Sequence, residues 1–202
     1  IFLMIGHYDR VKAPAVGAER FPIWNDFIHE AQANELSRQI ETGSPYPIRA
    51  MLGVGMNYRI SPDDRRLKEN LMKLDFLVNI DLFLTDTCKL CDIVLPACTS
   101  FERGELKSYG GGYLYYTKPV IDRLYDSRPD AEILCDLARA LELEDELLPK
   151  GPEACLEYIL QDLPVGLEEL KASDTPVKVP GVEAYVPGAM LDRGLATESG
   201  KF

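Results

Sequence analysis

The chain predicts an α/β fold: a doubly wound, mostly parallel sheet with helices on both faces. Three observations carry that expectation. Short apolar runs recur at 48–54, 76–80 and 93–95. They are continuous rather than alternating, which suits strands buried on both faces. Helical patterns lie between them, so the order is strand, helix, strand, helix, strand.

Each element has its own reason. Residues 1–5 (IFLMI) read as a strand and 7–20 as a loop rich in proline and glycine. Over 24–42 the apolar positions Trp24, Phe27, Ile28, Ala31, Leu36 and Ile40, closed by Gly43, predict one helix. A strand follows at 48–54. Ser61-Pro62-Asp63-Asp64 is a helix start, with a serine cap, proline at the first position and acids in the first turn. Leu67, Leu71 and Leu74 give that helix its buried stripe. The strand at 76–80, a short helix from about Asp86 and the strand at 93–95 complete a βαβαβ run with right-handed crossovers. Residues 101–112 read as a loop, 113–117 as a strand or hairpin, and 130–143 as an amphipathic helix; Pro152 opens another. From about Ala172 the chain turns irregular, with five prolines and glycines between Pro176 and Gly188. The expected division is a Rossmann-like dinucleotide-binding domain at 1–171 and an irregular arm at 172–202 leading to a further domain. The start at Ile1 without methionine and the stop at Phe202 read as a piece of a longer protein.

Composition narrows the function. The 202 residues are 46% apolar and 27% charged, ordinary values for a folded domain. Thirty-three acids against 22 bases leave a formal charge of −11. That argues against nonspecific binding to nucleic acid or anionic membranes, which rest on basic patches. No apolar run reaches the roughly 18 residues needed to span a bilayer. Five dispersed cysteines do not form a disulfide framework. Cys88-x-x-Cys91 with Cys98 nearby invites a metal reading, but no second pair accompanies it, and free cysteine packs as a small hydrophobe.

In a parallel sheet, ligands sit beyond the carboxyl ends of the strands, where Asp81 and Thr85 fall. A carboxylate there can take a ribose hydroxyl or the two N–H groups of a guanine; it can equally cap a turn. Gly53-Val54-Gly55-Met56-Asn57 follows a strand and precedes a helix. Such a loop can leave N–H groups free for a pyrophosphate, or be a plain turn. Asp92 reads as a cap at a strand start. His7 and His29 are the only histidines, and neither has an evident partner acid or nucleophile.

Residues 74–96, LDFLVNIDLFLTDTCKLCDIVLP, resemble a segment of the molybdopterin oxidoreductase family, enzymes with a bis(molybdopterin guanine dinucleotide) molybdenum or tungsten centre. FPIW at 21–24, PYPIRA at 45–50, GVGMN at 53–57, RPDAEIL at 128–134 and TESGKF at 197–202 resemble further family segments in the family's order. The resemblance implies that Asp81 and Thr85 bind the guanosine end of one molybdopterin guanine dinucleotide, with Gly55, Met56 and Asn57 on the dinucleotide and Glu102 in a loop beside the pterin. Ser108, Tyr109, Gly110 and Gly111 belong to the same loop region. It also implies that the metal ligand and the cysteines of any iron–sulfur cluster lie upstream of the matched region, so this chain alone is inert. Its partners would be the remaining domains of the same polypeptide and, in some members, electron-transfer subunits. Family relatives without the molybdenum cofactor, such as the large iron–sulfur subunit of complex I, and a stand-alone nucleotide-binding module are the alternatives.

Overall fold

A computed structural model describes residues 14–23, 25, 31–183, 186–188 and 199–200. The expected strand at 1–5, His7, His29, most of the first half of the helix at 24–42 and most of the 197–202 motif lie outside those residues. Contacts group the chain into two compact units, residues 1–97 and 98–202.

In the first unit the helix expected over 24–42 is not continuous. Gln32 is extended (φ −84°, ψ 99°) and its side chain accepts from the Asn34 N–H, so a 3₁₀ turn, Ala33–Glu35, begins afresh. Side chains that bond the nearby backbone favour such breaks over helix interior. The turn leads into α1, Leu36–Thr42, which Gly43 closes in the left-handed region at φ 66°. Strand β1, Ala50–Val54, follows. Helix α2, Asp64–Leu71, starts later than the Ser61-Pro62 pattern suggests. The Ser61 N–H closes the preceding 3₁₀ turn, Tyr58–Ile60, on the Tyr58 carbonyl. Asp63, at φ 53°, is the actual cap, and its carboxylate accepts from the Arg66 N–H. Aspartate tolerates this left-handed backbone better than most side chains.

Strands β2, Phe76–Asp81, and β3, Ile93–Pro96, join β1 in a three-stranded sheet, all parallel, in the order β1–β2–β3. Register pairs Met51 with Leu77 and Gly53 with Asn79. Because side chains alternate along a strand, these four share one face. Met51 and Leu77 pack there with Leu36 and Ile40 of α1 and Leu67 and Leu71 of α2. Each fully buried leucine contributes about 1.5–3 kcal/mol through removal from water. Asn70 ties the two helices together, its Nδ2 donating to the Ser37 carbonyl at 2.9 Å and hydroxyl at 2.8 Å. A doubly wound sheet carries helices on both faces. Among the described residues of this unit both helices lie on the one face, and Leu52, Val54, Phe76 and Ile93 on the other are exposed. The short helix expected from Asp86 is a 3₁₀ turn, Cys88–Leu90.

The second unit is built on an antiparallel sheet. Strand β4, Glu105–Tyr109, pairs with β5, Tyr113–Thr117, which pairs with β6, Val177–Lys178. Thus the loop expected at 101–112 contains a strand. Its charged residues conceal it in the sequence, and pairing with β5 makes it. Helix α3, Asp130–Ala140, stops short of Leu143, since Glu142 turns into the left-handed region at φ 49°. Helices α4, Pro152–Leu160, and α5, Leu167–Ala172, follow. Leu114, Leu160, Val165, Leu167, Leu170 and Val179 form the core. The segment after 172, expected to be irregular, therefore returns to the sheet as β6 and places Val179 in that core. No helix among the described residues is long and apolar enough to cross a membrane.

Candidate functional site

The carboxyl ends of β1 and β2 bring together Gly55, Met56, Asn57, Asp81 and Thr85. A parallel pairing does this directly, since both strands end on the same edge of the sheet. The Gly55 N–H donates to the Ile80 carbonyl at 2.8 Å, which fixes the loop after β1 against the end of β2. Gly55 has φ +60°, and a Cβ built there would meet nothing within 4 Å. It combines a left-handed turn with open space, a place where backbone can approach a ligand. Gly53 has a different task. Its missing side chain leaves room for Asn79, whose Oδ1 would lie 2.6 Å from a Cβ.

Asn79 is fully buried in the middle of the sheet and links the two strand ends. Its Oδ1 accepts from the Met56 N–H at 3.3 Å, and its Nδ2 donates to Asp81 Oδ2 at 3.2 Å. The same Nδ2 lies 3.4 Å from Cys88 Sγ. The sequence reading passed over this residue. The available signal was a single amide inside the apolar run 76–80, where a buried polar group must find partners.

Asp81 is half-buried. One oxygen accepts from Asn79 and the other from the Phe83 N–H at 3.3 Å. Cys88 Sγ also reaches Oδ2 at 3.8 Å. Asp81 therefore caps a turn, yet each oxygen has taken only one N–H, and a carboxylate can accept about four hydrogen bonds. Thr85 Oγ1 accepts from the Cys88 N–H at 3.3 Å and meets Cys88 Sγ at 3.3 Å. Asn57 Oδ1 accepts from the Arg59 N–H and starts the turn Tyr58–Ile60. Behind them, the buried Thr87 hydroxyl accepts from the Tyr58 N–H at 3.2 Å. Thr87 thus joins the two loops from below.

The charges around this edge are largely paired. Arg59 contacts Asp86 at 2.9 Å and Asp64 at 3.6 Å, and Lys89 contacts Asp86 at 2.9 Å. The hydrogen bond to Asp86 holds the Arg59 pKa above its ordinary value, while the Lys89 bond, then the Arg59 bond, holds Asp86 below its own. Asp92 sits at the start of β3, accepting from the Leu77 N–H at 2.7 Å and returning its own N–H to the Leu77 carbonyl. It caps the strand pair.

Glu102 belongs to the second unit and is buried. Its Oε2 accepts from the Thr99 hydroxyl at 2.6 Å and N–H at 2.8 Å; its Oε1 accepts from the Leu124 N–H at 2.8 Å and the Ser127 hydroxyl at 3.2 Å. Thr99 first, then the Leu124 N–H, pushes its pKa down from 4.5 to about 2. Both oxygens face inward onto their own loop. Ser108 and Tyr109 end β4, and Gly111 and Gly112, at φ 84° and 73°, turn the chain into β5.

The cysteines divide in the same way. Cys91 Sγ donates to the Thr87 carbonyl at 3.3 Å, and Cys88 Sγ faces the Phe83 carbonyl at 3.5 Å, so the pair does not converge on one point. Burial pushes the Cys91 thiol up to about 11. Cys135 is likewise pushed to about 11, by burial first and then by Cys155 beside it. Among the described residues no group of three or more His, Cys, Asp or Glu could hold a metal ion.

With this geometry in place, comparison with known proteins is specific. The family model for molybdopterin oxidoreductase matches residues 16–140. A trimethylamine-N-oxide reductase of Pasteurella multocida is 38% identical over 109 residues, covering 52% of this chain and 13% of that protein. One from Vibrio cholerae is 35% identical over 138 residues, covering 67% and 16%. The probable oxidoreductase YoaE of Bacillus subtilis is 34% identical over 130 residues, covering 63% and 19%. The chain thus spans less than a fifth of the length of these relatives. Among solved structures, the acetylene hydratase of Pelobacter acetylenicus superposes with a TM-score of 0.69 at 22% identity, over 85% of this chain and 24% of that one. At that identity the likeness concerns the fold.

Proposed function

We propose, from the premise that this chain belongs to the molybdopterin oxidoreductase family, that its share of the work is to hold one molybdopterin guanine dinucleotide. The family carries a molybdenum or tungsten pterin cofactor; the guanine dinucleotide form and its seat in this chain are our reading. The observation that carries it is the half-buried Asp81 at the carboxyl end of β2, beside the open backbone of Gly55.

The residues fit that ligand. Each Asp81 oxygen keeps acceptor capacity, so the carboxylate can receive guanine N1–H and N2–H together; adenine presents no such donor pair. Charge-assisted bonds of this kind contribute about 1.5–3 kcal/mol each. The left-handed Gly55 lets the backbone approach a pyrophosphate, and Met56 and Asn57 line the same loop. Thr85 offers a hydroxyl for the ribose end. Glu102 folds the 99–127 loop, which the family resemblance sets beside the pterin, with its own four hydrogen bonds.

The bound group supplies two-electron redox or oxygen-atom transfer chemistry in the complete enzyme. This chain positions it and is inert alone, the metal ligand and any iron–sulfur cluster being supplied by other domains of the same polypeptide. Electron-transfer subunits are the further partners, with nucleic acid and direct membrane insertion playing no part. In this reading the sheet is completed as a doubly wound, Rossmann-like unit within a cofactor-holding part at 1–171, and in the segment 172–202 the residues after β6 lead onward.

The test is a calorimetric titration of GDP and ADP into the chain and its Asp81→Ala variant. GDP should bind in preference to ADP, and the preference should vanish in the variant. GDP binding that survives Asp81→Ala rejects the site. Binding of neither nucleotide favours a cofactor-free scaffold.

A further inference from the structure

We infer that Asn79 is the positioning residue that makes Asp81 selective for a guanine base, an inference that rests on the nucleotide reading above. Asn79 binds the loop after β1 and the Asp81 carboxylate with one amide. It is completely buried, so its amide has no water to satisfy it, and each of its polar atoms is engaged. Oδ1 takes the Met56 N–H, Nδ2 gives one hydrogen to Asp81 Oδ2, and the other points to Cys88 Sγ.

The geometry has a consequence for recognition. An unheld carboxylate at a strand end rotates about χ2, and a rotated carboxylate cannot meet two parallel N–H groups at once. Asn79 pins one oxygen from below while the Phe83 N–H pins the other from the side. The Cys88 thiol adds a weak third contact to Oδ2 at 3.8 Å, and the acceptor directions that remain on the two oxygens are left to a ligand. Preorganisation of this kind lowers the entropic cost of a bidentate contact and raises discrimination between bases. The same amide ties the Met56 backbone to the Asp81 carboxylate, so the phosphate loop and the base pocket are set by one side chain. Gly53 is part of the device: any larger residue there would displace Asn79, whose Oδ1 stands 2.6 Å from the Cβ position.

An apolar side chain of similar size separates this role from packing. Asn79→Val places a good strand former at a buried strand position, so β2 should persist while both ties are lost. GDP affinity should fall about tenfold, the loss expected for a misaligned charged hydrogen bond, and ADP affinity should not change. In an Asp81→Ala background, Asn79→Val should produce no further loss, because the effect runs through Asp81. Circular dichroism reports whether the variant folds. Asn79→Thr, which keeps a hydroxyl but reaches only one partner, gives the same prediction if Asn79→Val does not fold. Equal losses for GDP and ADP, or an additional loss in the Asp81→Ala background, overturn the inference and leave Asn79 a structural residue. An unchanged GDP-to-ADP ratio in Asn79→Val, with Asp81→Ala still damaging, also overturns it while sparing the nucleotide site. If Asp81→Ala has no effect, or the parent chain binds no GDP, the site reading fails first and this inference with it.

Discussion

Asp81 and Glu102 invite comparison, one acid in each unit. The resemblance nominated both as cofactor contacts; Asp81 ends strand β2, and Glu102 sits in the loop before β4. Their surroundings differ. Glu102 receives four hydrogen bonds from its own loop, two on each oxygen, and is buried with nothing left to offer. Asp81 receives one N–H on each oxygen and a weak thiol contact on one of them, and remains half-buried. The lesson is that an acid keeps capacity for a ligand when its chain supplies fewer donors than the carboxylate can accept, and spends it within the fold when the supply is complete.

The comparison can be strained first through the second unit's core, where the largest effect is expected. Leu170 is fully buried, and Leu170→Ala should cost about 3 kcal/mol in a urea melt by opening a cavity. A cost below about 1 kcal/mol would mean that this core is not packed as described. Next comes Glu102→Gln, which replaces one acceptor oxygen by a donor and removes the charge. The melting temperature should drop by more than about 5 °C at neutral pH. The pH dependence gives a sharper version. Because the folded carboxyl sits near 2 and its ordinary value is 4.5, its contribution is complete above about 4.5 and is lost as pH falls toward 2. The parent chain should lose stability across that window, and Glu102→Gln should lose less. Parallel stability curves would contradict the idea that Glu102 is a folding acid.

In the first unit the effects on stability should be smaller and those on ligand larger. Gly53→Ala should cost about 1–3 kcal/mol through the crowding of Asn79 and reduce the preference for GDP together with it. Asp81→Asn should change the melting temperature little, since the amide keeps an acceptor for Asn79. GDP affinity should nonetheless fall at least tenfold. A large loss of stability without loss of binding would put Asp81 in the same class as Glu102. At the small end, Arg59→Ala removes exposed ion pairs to Asp86 and Asp64 and should leave the melting curve unmoved within error.

Several elements of this fold were legible because their determinants are local. The apolar runs at 76–80 and 93–95 became β2 and β3, and Pro152 and Gly43 marked the ends they mark in the structure. Readings that depended on a remote partner went differently. Strand β4 exists because β5 lies against it, and residues 177–179 return to order because β5 and the Leu170 core receive them. The break at Gln32 came from a side-chain bond two residues away that outweighed the apolar spacing.

By itself, then, the sequence determined the parallel βαβ order of the first unit, the acids and glycines at its strand ends, and the family to which they belong. These follow from side-chain periodicity, turn chemistry and ordered motifs, all of which act over a few residues. Only the tertiary structure decided which of those residues are free to act. It spent Glu102 on its own loop, gave Asp92 to the strand pair, and set the unremarked Asn79 between Met56 and Asp81. The physical reason is that hydrogen-bond capacity is consumed by neighbours in space, and a linear pattern does not say who those neighbours are.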